Sequence, residues 1–129
     1  MHDAPQMMTE TTQLILPKQA NHYGTLFAGE ALSMMASAAY AVASRYARGN
    51  VVLASADALR FTAPVPVGTL FTLRAEILRV TRSTLIVEVT AFAEDTQTGA
   101  RHGAAQGQFT MVAVNDHGRP RKINSQESR

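Results

Sequence analysis

The residue type and position that best suit carbonyl chemistry occur at Gly29, where the longest apolar segment of the chain begins. If that segment is a helix, its first backbone N–H groups have no partner within the helix and carry the positive end of the helix dipole. Such groups stabilise an oxyanion without a charged side chain. Because Gly29 lacks a Cβ atom, a carbonyl group can approach the backbone closely there. The alternative is that Gly29 serves only the tight turn entering the helix.

Two carboxylates are candidates for a general base. Glu30 lies in the first helical turn, where it can reach a cavity opening at the helix end or simply be favoured by the dipole. Asp57 lies in a strand whose other odd positions are large and apolar: Val51, Leu53, Leu59 and Phe61. An unbroken strand would therefore turn Asp57 towards the helix, as a base with a raised pKa. A β-bulge, or bonding to backbone amides, is the structural alternative.

A third group of polar residues lies between two long strands: Arg79, Arg82, Ser83 and Thr84. Guanidinium groups have the geometry to bind phosphates. Arg119, Arg121 and Lys122, near the end of the chain, could add to such a site. Solvated charges on a hairpin are the alternative.

The elements that must position these residues follow from the hydrophobic pattern. Thr11–Leu16 is predicted as a strand, residues 28–47 as a helix that is apolar on nearly every side, and four long strands follow. These strands occupy about Val51–Thr62, Leu70–Leu78, residues 84–94 and His102–Val114, with one apolar face. One helix covers five strands only if the sheet curls around it, which describes the hotdog fold, an α+β class. An α+β sandwich with another strand order is the alternative.

Composition excludes several classes of protein. The chain has 129 residues, 46% hydrophobic, with no cysteine, so Cys-ligated zinc, iron–sulfur clusters and a cysteine nucleophile are absent. It also lacks a phosphate loop, a dinucleotide fingerprint and a His-x-x-x-His pair, so we expect no metal and no cofactor. The longest uncharged apolar run, residues 31–44, is shorter than the roughly 20 residues of a membrane span. No secretory signal pattern is visible, and we expect a cytoplasmic protein without membrane contact.

The domain organisation is simple. We expect a flexible N-terminal arm at residues 1–10, one folded domain at residues 11–118 and a basic tail at residues 119–129. The formal net charge of +2 comes entirely from residues 116–129. A nucleic-acid-binding role would rest on that tail alone, so we expect no nucleic-acid partner.

Several segments in a fixed order resemble the hotdog acyl-CoA thioesterases of the cytosolic acyl-CoA hydrolase, YciA-like, type. The resemblance covers about residues 12–120. It rests on the loop and helix start at residues 20–32, together with Leu16-Pro17, Val51-Val52, Asp57, Phe61, Pro64-Val65, Gly68, Arg82-Ser83-Thr84 and residues 109–114. It implies hydrolysis of a CoA thioester to CoA and a free acid.

The resemblance also implies roles for individual residues. Asn21 would hold the attacking water or the carbonyl group, with a turn-stabilising Asn as the alternative. The loop before the helix would form the active site with the partner subunit, and Arg79, Arg82, Ser83 and Thr84 would bind the phosphates of CoA. One position departs from the family: many of these enzymes have Met-Asp where this chain has Met35-Ala36.

The sequence thus predicts a homodimer whose sheets join edge to edge, assembling further to a tetramer or to a hexamer as a trimer of dimers. It would hydrolyse acyl-CoA with water as the nucleophile. Asn21 and Gly29 would hold the reacting groups, and Asp57 or Glu30 would act as base. Because Ala36 replaces the helix aspartate, a non-catalytic acyl-CoA-binding protein is the main alternative. Hotdog dehydratases are disfavoured, because residues 22–36 lack their patterns.

Overall fold

A computed structural model describes residues 7–124 of the chain. The strands are β1 (Met8–Leu14), β2 (Val51–Phe61), β3 (Leu70–Val80), β4 (Thr84–Glu94) and β5 (Arg101–Ala113). One helix, α1 (Ala28–Ala47), lies between β1 and β2, and a single 3₁₀ turn occupies Pro17–Gln19. No helix among these residues is long and apolar enough to cross a membrane.

The five strands form one antiparallel sheet in the order β1-β3-β4-β5-β2, so β1 and β2 are its two edges. The sheet packs one face against α1, and alternate residues of each central strand point into that contact. The fully buried large side chains at its centre include Met35 and Val42 from α1, Phe71 and Ile77 from β3, Leu85 and Val87 from β4, and Phe109 and Met111 from β5. The predicted hotdog architecture is confirmed.

The predicted helix has the observed bounds, because its Ala- and Met-rich segment contains no proline or β-branched run before it ends at Ala47, where Arg48 takes the left-handed C-cap conformation with a φ of 58°. The first strand was predicted too late. β1 begins at Met8 rather than Thr11 and ends at Leu14 rather than Leu16. Its pairing with β3 selects these residues, since Met8 lies opposite Glu76 and Leu14 opposite Leu70. Pairing with a neighbour, and not apolar alternation, decides where an exposed edge strand starts.

Both ends of the chain extend the fold beyond the bounds that the sequence predicted. Residues 8–10, assigned to the N-terminal arm, belong to β1. Within the basic tail, Ile123 is buried in the core and its backbone N–H donates to the carbonyl oxygen of Arg82 at 2.8 Å. Residues 1–6 of the predicted arm and residues 125–129 of the predicted tail lie outside the described residues.

Candidate active site

Asn21 organises the loop that leads into α1. Its Oδ1 accepts hydrogen bonds from the backbone N–H groups of Tyr23 at 2.9 Å and Thr25 at 3.2 Å, and from the Thr25 hydroxyl at 3.2 Å. Gly24 closes the turn with a φ of 82°, a conformation that favours glycine. Two N–H donors on one oxygen fix the orientation of the amide. Asn21 Nδ2 has no acceptor among residues 7–124, so it can donate a hydrogen bond to a bound molecule.

The first turn of α1 presents open backbone donors. Phe27 is the N-cap, and no side chain caps the helix. The first helical bond runs from the N–H of Ala31 to the carbonyl oxygen of Phe27 at 3.0 Å. Within residues 7–124, the N–H groups of Ala28, Gly29 and Glu30 therefore have no backbone acceptor and no capping side chain. This is the electrostatic arrangement that stabilises an oxyanion.

A side chain at Gly29 would require the ring of Phe27 to move. A Cβ atom there would lie 2.7 Å from Cε2 of Phe27, whose ring is 57% exposed and lies against the helix start. Phe27 therefore covers the backbone of Gly29 on one side and leaves the N–H groups of the first turn accessible. Phe27 belongs to the loop and helix start, residues 20–32, on which the family resemblance rests.

An apolar pocket of about 270 Å³ opens beside this helix start. Ala28 and Ala31 form its helical wall, and the segment 61–65 forms the opposite wall. The remaining surface is formed by four buried residues: Leu26, Phe71, Ala104 and Ala105. The signal for this pocket is visible in the sequence as two consecutive alanines, Ala104 and Ala105, which break the alternation of the last strand.

The two long sides of α1 face different edges of the sheet. Ser33, Met34, Ser37 and Ala41 line a groove against β1. Because successive residues are separated by about 100° around a helix, Glu30 falls on this same side. Gly29, Leu32, Ala36 and Tyr40 fall on the other side, facing β2. Ala36, the position without the family aspartate, therefore shares a side with Gly29, whereas Glu30 does not.

Asp57 does not turn towards the helix. β2 is interrupted by irregularities between Leu53 and Ser55 and between Asp57 and Arg60. Asp57 consequently lies opposite Gln108, whose side chain alternates with the inward-facing Phe109. Directly paired residues share a face, so Asp57 lies on the outer face of the sheet, exposed to solvent. The expectation based on an unbroken strand was wrong, and the structural alternative, a bulge, is what the chain contains.

Arg79, Arg82, Ser83 and Thr84 gather at the β3–β4 hairpin, as predicted. Thr81 and Thr84 are hydrogen-bonded through their hydroxyls, and the Ser83 carbonyl oxygen accepts from Ala113 at 2.8 Å. This hairpin lies at the Val51 end of β2, whereas the helix start and the pocket lie at its Phe61 end. An 11-residue strand spans about 35 Å, so one chain does not bring the two groups together.

Edge strand β2 and the adjoining side of α1 expose large apolar side chains. Leu53 and Phe61 are each 47% exposed, Val52 is 48% exposed and Tyr40 is 46% exposed. Exposed apolar groups beside unpaired strand edges are typical of subunit interfaces. Among residues 7–124 no group of three or more His, Asp or Glu side chains could hold a metal ion.

Comparison with known proteins places this geometry in context. The thioesterase superfamily profile matches residues 23–100. An uncharacterized acyl-CoA thioester hydrolase of Zymomonas mobilis is 33% identical over 110 residues, which cover 85% of this chain and 74% of that protein.

Two solved structures share the fold. A hexameric broad-specificity acyl-coenzyme A thioesterase, HI0827, in a form with an aspartate-to-alanine substitution, superposes with a TM-score of 0.87 at 28% identity, over 92% of this chain and 88% of that chain. An acyl-CoA hydrolase from Staphylococcus aureus, in complex with butyryl coenzyme A, coenzyme A and coenzyme A disulfide, gives a TM-score of 0.86 at 25% identity, over 92% of this chain and 72% of that chain.

Proposed function

The chain belongs to the thioesterase superfamily, and we propose that it hydrolyses acyl-CoA thioesters to CoA and a free carboxylic acid. The observation that carries the proposal is the open first turn of α1, whose free N–H groups lie beside an apolar pocket. In the reaction, a water oxygen bonds to the thioester carbon, the carbon–sulfur bond breaks, and the water proton ends on the departing thiolate. Acyl-CoA hydrolase relatives and a CoA-bound structural neighbour support this reaction.

The backbone stabilises the developing negative charge. As water adds, the carbonyl oxygen becomes an oxyanion, and the N–H of Gly29 together with its neighbours in the first turn donates to it. These donors are fixed by the helix before substrate binds, so they need no reorganisation during the reaction. Asn21 Nδ2 supplies a further donor that orients the carbonyl group or the water, while its Oδ1 remains bonded within the loop.

Glu30 is the proposed base. Side chains of a helix point back towards its N-terminus, so a carboxylate at the third helical position reaches the space in front of the first turn. The N–H of Phe27, which such a glutamate often binds, is already donated to the Gln19 carbonyl oxygen at 3.0 Å. The Glu30 carboxylate therefore remains available to accept a proton from water. Asp57 is the second candidate, and its position on the outer face of the sheet disfavours it.

A second copy of the chain completes the CoA site. If β2 pairs antiparallel with β2 of a second copy, the Val51 end of one strand lies beside the Phe61 end of the other. The partner's β3–β4 hairpin then comes to the same end of the assembly as the first copy's helix start. Arg79, Arg82, Ser83 and Thr84 of the partner subunit would bind the CoA phosphates. The exposed apolar side chains of β2 and α1 support this interface.

We propose further assembly of such dimers into a hexamer, because the structural neighbour HI0827 is described as hexameric. A cytoplasmic location fits a chain without cysteine.

The decisive experiment is thiol release by the purified protein over acyl-CoAs from acetyl to palmitoyl. We expect release proportional to protein concentration, and loss of the signal when the protein is heat-denatured. Tight acyl-CoA binding without release would overturn hydrolysis and favour the non-catalytic binding protein that Ala36 raised as an alternative. Absence of both binding and release would contradict acyl-CoA as the ligand.

A further inference from the structure

We infer that the pocket beside the helix start holds the acyl group, and that a bulge in β5 shapes the pocket so that it favours acyl chains of up to about nine carbons. The inference rests on the proposed hydrolase function and names its substrate class. It concerns short- and medium-chain acyl-CoAs, as opposed to long-chain acyl-CoAs such as palmitoyl-CoA.

The bulge explains why the pocket exists. Ala91 of β4 pairs with Ala105, but the next residue, Phe92, pairs with Gly103, so Ala104 has no partner across the strand pair. A strand alternates its side chains, and one extra residue places two neighbours on the same side. Ala104 and Ala105 are accordingly both buried, with 2% and 5% of their surface exposed, and both line the pocket.

Hydrogen bonds fix the bulge and leave the pocket lining apolar. The Ala104 carbonyl oxygen accepts from the N–H of Thr62 at 2.8 Å and of Ala63 at 3.4 Å. The Thr62 hydroxyl donates to the Gly103 carbonyl oxygen at 3.4 Å. The polar groups of this corner are thus bonded to one another, so a hydrocarbon chain would meet mainly methyl groups and aromatic rings, without displacing hydrogen bonds.

The pocket starts where the thioester would lie and ends inside the fold. Ala28, at its mouth, carries one of the open N–H groups of α1. Phe71, 1% exposed, and Val65, 5% exposed, close the far side. A carbonyl oxygen at the N–H groups would therefore direct the acyl chain past Ala31 towards Ala105.

The volume of the pocket sets the length of the acyl chain that fits inside it. The cavity holds about 270 Å³. A methylene group needs about the space of a water molecule in the liquid, roughly 30 Å³, so the pocket has room for about nine carbons. A palmitoyl chain exceeds this space, so part of it would remain outside the pocket.

The test compares chain-length profiles of three variants with the wild type. Ala105→Val adds two carbons to the pocket wall and should lower kcat/KM for octanoyl-CoA relative to butyryl-CoA by about tenfold. Val65→Ala removes two carbons and should raise kcat/KM for dodecanoyl-CoA relative to octanoyl-CoA by about threefold or more. The matched control is Ala47→Val, also at a residue 5% exposed but at the other end of α1, and it should leave both ratios unchanged.

Thermal unfolding checks that each variant folds, since added carbons in a core destabilise by about 1–3 kcal/mol. If Ala105→Val does not fold, Val65→Ala still tests the inference, because it enlarges the pocket instead of narrowing it. Unchanged ratios in folded variants would overturn the inference while the hydrolase function stands. If the wild type releases no thiol, the same ratios are measured as calorimetric affinities for the acyl-CoAs, which separates failure of the pocket assignment from failure of the proposed function.

Discussion

The guanidinium group of Arg121 caps the C-terminus of α1, because its Nη2 donates a 2.8 Å hydrogen bond to the backbone carbonyl oxygen of Ala47. Its Nε also donates to the Val114 carbonyl oxygen at 3.3 Å. A Cβ atom at Gly49 would lie 2.7 Å from this Nη2, so the glycine gives the side chain room. A residue that the sequence offered as a phosphate ligand thus has a structural role, favoured by the negative end of the helix dipole.

We expect Arg121→Met to lower the free energy of unfolding by about 1–2 kcal/mol, because it removes a charge-assisted bond at the helix terminus. The melting temperature should fall by about 3–6 °C. Arg119→Met, at an exposed arginine two residues earlier, is the control and should change it by less than about 1 °C. Equal stability of the two variants would mean that the cap contributes nothing.

Asn21→Asp separates the two roles of Asn21. An aspartate keeps the oxygen that accepts from Tyr23 and Thr25, so the loop should fold, but it replaces the Nδ2 donor with an acceptor. We expect kcat to fall by about 10²-fold or more with little change in melting temperature. Asn21→Ala should lose both the activity and part of the loop stability. Retained activity in Asn21→Asp would leave Asn21 as a turn residue alone.

The choice of base is tested by two conservative changes. Glu30→Gln keeps the size of the side chain and removes its ability to take a proton, so kcat should fall by about 10²-fold or more. Asp57→Asn, on the outer face of the sheet, should change kcat by less than about threefold. The assignment fails if the two effects are reversed, and the pH–rate profile of each variant reports whether an ionising group has been lost.

Ala36→Asp tests the departure from the family pattern. Ala36 is half-buried on the same side of α1 as Gly29, and an aspartate facing a wet active site there would avoid the penalty of burying a carboxylate in a dry core. We expect a folded protein with kcat raised by about tenfold or more, because a base would be restored. Ala36→Asn is the matched control without a base. An unchanged rate in folded Ala36→Asp would mean that Glu30 or another group already fills the role.

Mixing variants tests whether two copies share a site. Arg82→Ala should weaken the binding of acyl-CoA by about tenfold or more but leave the binding of acyl-pantetheine unchanged. Arg45→Ala, in the groove against β1, should change the binding of neither compound. If the partner supplies Arg82, a refolded mixture of Arg82→Ala with Asn21→Asp contains sites with both residues intact. We then expect up to about a quarter of wild-type activity, measured at low acyl-CoA concentration. No recovery would place both residues of a site in one chain.

The sequence by itself determined the helix and the inner face of β3 over residues 71–77. Residues 28–47 form the predicted helix, and Phe71, Leu73, Ala75 and Ile77 alternate into the core as predicted. These features depend on the character of each residue and its near neighbours, and a period of 3.6 or 2 reveals them directly. The loop and glycine at the start of α1 could be located in the same way.

Only the tertiary structure decided which residues share a face and an end of the sheet. The irregularity between Leu53 and Ser55 turns Asp57 outward, and the second irregularity of β2, between Asp57 and Arg60, coincides with a close cross-strand contact. A Cβ atom at Gly107 would lie 2.8 Å from Cδ1 of Leu59. The position of a bulge depends on such packing between strands that are distant in sequence, and one extra residue reverses the face of every residue beyond it. The bulge at Ala104 that forms the pocket, and the contact between Arg121 and Ala47, also depend on packing between segments that are distant in sequence. No local pattern contains these pairings, so they appear only when the chain is folded.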